Sequence, residues 1–140
     1  MSTIILKLST TINAPIAKVW DAVVNPAQIK KYMFGTDTVS DWKVGSPIKF
    51  TGEWEGKPYE DKGTILQIEK EKILKYNYWS NFSGDKDEPA NYSNITYEIS
   101  SQGGGTRFTL TQDNFKTEEA RAHSEKNWGM IFEMMKKMLE

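Results

Sequence analysis

The chain has 140 residues, with 18 basic and 19 acidic side chains, one histidine and no cysteine. That length suits one domain of about 100–150 residues. Without cysteine, disulfides, thiolate metal sites and cysteine nucleophiles are excluded. The charges nearly cancel and are interspersed, so no footprint for nucleic acid or an anionic membrane stands out. The first residues, MSTIILKLSTTI, carry only three adjacent apolar side chains. That is too short for a secretion leader or a membrane span, and a cytoplasmic protein is expected.

Residues 3–12 alternate, with Ile4, Leu6, Leu8, Thr10 and Ile12 in phase, which predicts a strand. Ala14-Pro15 ends it, and Pro15 suits the start of a helix. Ile16, Val19, Trp20 and Val23 then fall at helical spacing. Asn25-Pro26 stops that helix, because proline disfavours the helical conformation in the residue before it. A second short helix is predicted from Pro26 to about Lys31.

Strands follow. Residues 37–43 predict a weak one. Ile48, Phe50, Gly52 and Trp54 alternate in the next. Tyr59–Glu69, Ile73–Ser80, Asn91–Ser100 and Thr106–Asp113 complete the set, with short Gly- or charge-rich turns between most of them. This spacing predicts an antiparallel meander. Thr117 is placed to cap a long final helix, with Glu118 and Glu119 in its first turn. The apolar stripe of that helix is Trp128, Ile131, Phe132, Met135, Met138 and Leu139. Continued backward at 3.6 residues per turn, it reaches Ser124, Arg121 and Ala120. One end of the face is therefore greasy and the other small or polar. If a sheet wraps the helix, the polar end leaves room for a cavity.

The ordered set Ala14-Pro15, Val19-Trp20-Asp21-Ala22, Asn25-Pro26, Gly45, Phe50, Gly63, Tyr76, Tyr78, Phe108, Phe115 and Trp128 resembles the START-like, or SRPBCC, helix-grip superfamily. Within it the chain is most similar to the family named for the activator of the heat shock protein 90 ATPase homologue. The resemblance implies an α+β fold: a curved antiparallel sheet of six to seven strands gripping the C-terminal helix, with two short helices after the first strand. It also implies a single domain over residues 1–140 and, from the family name, a stress-response setting. Many members of the superfamily hold an apolar molecule between sheet and helix. Ser46 and Asn127 stand where glycine is frequent in the family. The eukaryotic activators also carry a large N-terminal domain that 140 residues do not accommodate.

The candidate ligand-binding set is Trp54, Tyr76, Tyr78, Tyr97 and Phe108 on the sheet, facing Arg121, Ser124 and Trp128 on the helix. Rings with polar tips suit a pocket wall, since they pair an apolar body with a hydrogen-bonding end. Inward tyrosines need partners for their hydroxyls. Arg121 either pairs with an anionic group of a ligand or extends to solvent. No catalytic residue, metal site or cofactor is expected. His123 lies on the flank of the last helix and reads as a surface residue. Asp85, Asp87 and Glu88 lack the spacing of a calcium loop. Glu53 is expected to face outward, and the orientation of Asp61 is open. Three functions compete: a binding domain for a small apolar or amphipathic molecule, a polyketide cyclase-like enzyme, and a co-chaperone whose partner is the heat shock protein. The enzyme demands a carboxylate or histidine in the cavity.

Overall fold

The computed structural model describes residues 4–81 and 83–140, with the side chain of Trp54 outside the described set. The first strand, β1, spans Ile4–Ile12; Thr3 lies outside the described residues. Helix α1 covers Ile16–Val24 and α2 Pro26–Tyr32. Strands β2 (Asp37–Ser40), β3 (Pro47–Trp54), β4 (Lys57–Glu69), β5 (Ile73–Ser80), β6 (Ser93–Gln102) and β7 (Gly105–Phe115) follow, and helix α3 runs Glu118–Leu139. The strands form one antiparallel sheet in the order β1-β7-β6-β5-β4-β3-β2. Six strands meander, and β1 returns beside β7. This is the expected helix-grip architecture: the curved sheet wraps α3, and α1 and α2 cover one end.

One residue makes the α1–α2 bend. The Asn25 backbone N–H closes α1 on the Asp21 carbonyl at 2.9 Å. Its side-chain oxygen accepts from Ala27 N at 3.0 Å and so caps α2, while Pro26 occupies a first-turn position where no N–H is needed. The Tyr32 hydroxyl then donates to the Ala22 carbonyl at 2.8 Å and joins the two helices.

The strand predicted over 37–43 ends at Ser40. There the Ser40 hydroxyl accepts the Trp42 N–H at 3.0 Å, and Trp42 turns left-handed with φ 57°. A side chain that takes a backbone donor competes with the ladder, and the strand stops. The hairpin at Glu55-Gly56 has φ 52° and 78°, the two-residue turn whose twist matches its strands.

The ladder between β4 and β5 is interrupted. Pairing runs to Lys62↔Trp79 and resumes at Ile65↔Tyr76. In the gap, Thr64 N donates to the Asn77 side-chain oxygen at 2.7 Å. A Cβ on Gly63 would collide with the Asn77 carbonyl, so only glycine allows this approach. A register shift between Ile65 and Gln67 adds curvature. The bowl that results holds Trp128, Ile131, Phe132, Met135 and Leu139, all 8% exposed or less. Full burial of each such apolar side chain contributes about 1.5–3 kcal/mol. At its far end α3 is tied down: Lys18 Nζ donates to the Leu139 carbonyl at 3.2 Å, and Asn13 N donates to the Glu140 carboxylate at 3.0 Å.

Candidate functional site

The apolar face of α3 runs out at Trp128. One turn earlier the inward position is Ser124, and Asn127 lies beside it; both side chains are too short to fill the bowl. A cavity of about 200 Å³ remains there. Its walls are Phe50, Tyr76, Tyr78 and Ile95 from the sheet, and Ser124, Asn127, Trp128 and Ile131 from α3. Met33, Phe34 and Thr36, from the segment after α2, close one side, and Asp61 and Gln112 bring polar groups to the wall. A second hollow of about 260 Å³ shares Met33, Phe34, Thr36, Asp61 and Tyr78 with the first and reaches Glu53. Phe34 is 60% exposed and left-handed at φ 56°, followed by Gly35 at 84°. Two successive positive φ values hold that ring at the mouth instead of in the core.

Asp61 is the most unusual group in the wall. It sits on β4 opposite Phe50 of β3 and shares its inward face. The Tyr78 hydroxyl donates to its Oδ2. Its Oδ1 is buried and meets no partner among the described residues. Burial pushes the Asp61 carboxyl above its ordinary range, against the hydrogen bonds from Ser80 and Tyr78, which favour the ionised form. Tyr78 is itself held well above the usual phenol value, first by burial and then by the Asp61 charge. Nearby, Thr36 donates its one proton to the Met33 carbonyl at 2.6 Å. Its oxygen therefore accepts from the Tyr59 hydroxyl, 2.5 Å away.

Gln112 closes the cavity from β7. Its side-chain oxygen accepts from Trp128 Nε1 at 3.0 Å and from the Ser124 hydroxyl at 3.1 Å. Behind Trp128, Tyr97 packs edge-on at 5.8 Å between ring centroids and shares a 2.8 Å hydrogen bond with the Tyr76 hydroxyl.

Of the eight residues singled out from sequence, Tyr76, Tyr78, Ser124 and Trp128 line the cavity. Tyr97 and Phe108 stand behind the wall: Phe108 is 1% exposed and packs on Tyr97 at 5.3 Å and Phe132 at 5.4 Å. The Trp54 side chain lies outside the described residues. The inward course considered for Arg121 is corrected by the structure. Its guanidinium pairs with Glu118 at 2.5 Å and Glu125 at 2.6 Å, one turn either way along the same helix, and it does not line the cavity. Two carboxylates at helical spacing satisfy it locally, so it has no reason to turn in. His123 is exposed. Asp85 pairs with Lys116, and Asp87 with Lys62, each at 2.5 Å. Glu53 is exposed at the outer hollow.

Asp61 and Gln112 were missing from the candidate set, yet both carry a signal in the sequence. Asp61 is in phase with Ile65, and Gln112 with Phe108 and Leu110. A polar residue in phase with an inward apolar row is a buried polar group, and such groups mark sites more sharply than exposed ones.

A curved antiparallel sheet closed on a long C-terminal helix, with a ring-walled hollow beside that helix, defines a helix-grip domain. The family described as activator of Hsp90 ATPase homolog 1-like protein matches residues 13–140, and the chain belongs to it. The solution structure of ChR145 from Cytophaga hutchinsonii is 51% identical, with a TM-score of 0.86, over 99% of this chain and 96% of that one. The Aha1 dimer from Colwellia psychrerythraea shares the fold at 18% identity and a TM-score of 0.78, over 99% of this chain and 97% of that one. DynU16, a protein in the dynemicin biosynthetic locus, does so at 12% identity and a TM-score of 0.80, over 96% of this chain and 46% of that one. No curated protein matches the chain.

Proposed function

We propose that the protein is a single-domain, cytoplasmic binding protein for a small, mostly apolar molecule held between the sheet and the N-terminal half of α3. The observation that carries this reading is the cavity itself, with Phe50, Tyr76, Tyr78 and Trp128 as its aromatic wall. Apolar burial supplies the affinity. The polar tips of Tyr78, Asp61 and Gln112 orient the guest, as the few polar groups of a pocket do. Arg121 has no part in it. A backbone amide spectrum titrated with a panel of lipids, flavonoids and polyketides tests the reading. Shifts should gather on Tyr76, Tyr78, Ile95, Ser124 and Trp128. If the panel moves none of these, the cavity is not a ligand site. Shifts confined to the outer face on adding the Hsp90 chaperone would transfer the function to a protein partner, as the family name suggests.

Asp61 favours a second reading, an enzyme of the polyketide cyclase kind. A carboxyl held above its usual range beside a phenol is suited to taking and returning a proton. DynU16 offers a precedent for the fold in a biosynthetic locus. On this reading Asp61→Asn abolishes turnover of a bound polyketide. Turnover that survives the substitution removes the proposal.

A further inference from the structure

The Gln112 amide is fixed in one orientation. An indole N–H only donates, so the group facing Trp128 Nε1 must be the Gln112 oxygen, and the Ser124 hydroxyl holds that same oxygen. The NH₂ is therefore turned away from α3. No acceptor meets it among the described residues, although Gln112 is only 8% exposed. A second donor stands on the same wall. Tyr76 and Tyr97 have two hydroxyl protons between them and share one hydrogen bond. With Tyr97 donating, the Tyr76 proton is free to meet a group in the cavity that Tyr76 lines. No Lys or Arg lines this cavity among the described residues, and Asp61 does. The wall thus offers donors without positive charge, and among the described residues no cation there balances an anionic ligand. As for size, a cavity of about 150 Å³ holds a benzene ring, and this one measures about 200 Å³.

We propose that Gln112 is the recognition residue of this cavity and that its ligand class is an uncharged single-ring carbonyl compound. The carbonyl oxygen accepts from Gln112 Nε2 and the Tyr76 hydroxyl, and the ring lies among Phe50, Tyr78 and Trp128. Larger substituents leave through the outer hollow, past Asp61 and Phe34. This rests on the cavity being a ligand site, and adds which end of the ligand is read and by what.

Three probes of similar size separate the possibilities: acetophenone, ethylbenzene and benzoate, each titrated into the ¹⁵N-labelled full chain. Acetophenone should bind roughly tenfold or more tightly than ethylbenzene, since its carbonyl meets donors that ethylbenzene cannot. The Gln112 side-chain NH₂ signals should move with it, and benzoate should bind more weakly than either. Gln112→Glu keeps an oxygen for Trp128 and Ser124 and removes the Nε2 donor while leaving the Tyr76 hydroxyl; it should lose most of the acetophenone preference and retain ethylbenzene. Equal binding of acetophenone and ethylbenzene, a preference undiminished by Gln112→Glu, or tighter binding of benzoate each overturns the proposal and leaves the cavity as a ligand site. If neither neutral probe shifts any cavity residue, this proposal falls whatever the larger panel does. The comparison in the unaltered protein stands even if the variant does not fold.

Discussion

The Tyr78 phenol on β5 donates its proton to the Asp61 carboxyl on the neighbouring strand β4, inside the wall of the cavity. The pair joins a group that burial prefers neutral to one that stabilises its charge. Its net effect has a definite sign. Because the folded-state pKa is raised above the ordinary 3.8, the folded protein binds the Asp61 proton more tightly than the unfolded chain does. Stability from this group is complete below 3.8 and is lost as the pH rises through the folded value. Asp61→Asn removes that loss and keeps an acceptor for Tyr78. The variant should therefore gain on the wild type in urea midpoint as the pH is raised from about 3.5 to about 7. A difference independent of pH would contradict the assignment.

Gly63→Ala tests the bend. Its Cβ meets the Asn77 carbonyl, which is backbone and cannot swing aside. A cost of roughly 3 kcal/mol or more is expected in chemical denaturation. At Gly129, by contrast, a Cβ would meet nothing within 4 Å. Gly129→Ala on α3 should instead stabilise by up to about 1 kcal/mol through helix propensity. If both substitutions behave alike, the close approach at Gly63 is not what shapes the sheet.

Asn25→Ala keeps the backbone N–H that closes α1 and loses the oxygen that caps α2. The expected loss is about 1 kcal/mol, and Asn25→Gly should cost only a few tenths. Urea midpoints of the two variants check this. Equal losses would mean that the side chain is not acting as a cap.

Tyr76→Phe leaves the Tyr97 hydroxyl buried without its partner, and Tyr97→Phe does the reverse. Each should cost about 1–3 kcal/mol, and the double variant less than the sum. A double-mutant cycle measures the coupling; strict additivity would show that the two hydroxyls do not interact.

Arg121→Gln separates the helix-borne ion pairs from the cavity. Ligand-induced shifts on Tyr76 and Trp128 should be unchanged, because the guanidinium is engaged by Glu118 and Glu125. Thermal stability should fall slightly at low salt and recover at high salt, as exposed pairs do. Loss of ligand binding would return Arg121 to the site.

Most of the fold was legible because the helices and strands carry strong periodic patterns, and turn residues such as Asn25-Pro26 and Glu55-Gly56 act locally. The extent of β2 was not legible, because Ser40 chose between the ladder and Trp42 by geometry. Half of the candidate site was legible. Alternation says which side of a strand faces in, so Tyr76 and Tyr78 emerge with the core. It does not say how deep along the strand the helix stops filling space. Tyr97 and Phe108 have the same phase as Tyr76, yet they are packed under Trp128 and Phe132.

The sequence by itself determined the elements, their antiparallel order and the change along α3 from Trp128 to Ser124, since these depend on residues near one another in the chain. Only the tertiary structure decided where the hollow lies and which polar groups it exposes. Asp61, Gln112 and Arg121 are all polar residues in phase with an apolar row. Distance to partners on other elements turned the first two into wall groups, and two glutamates on its own helix kept the third outside.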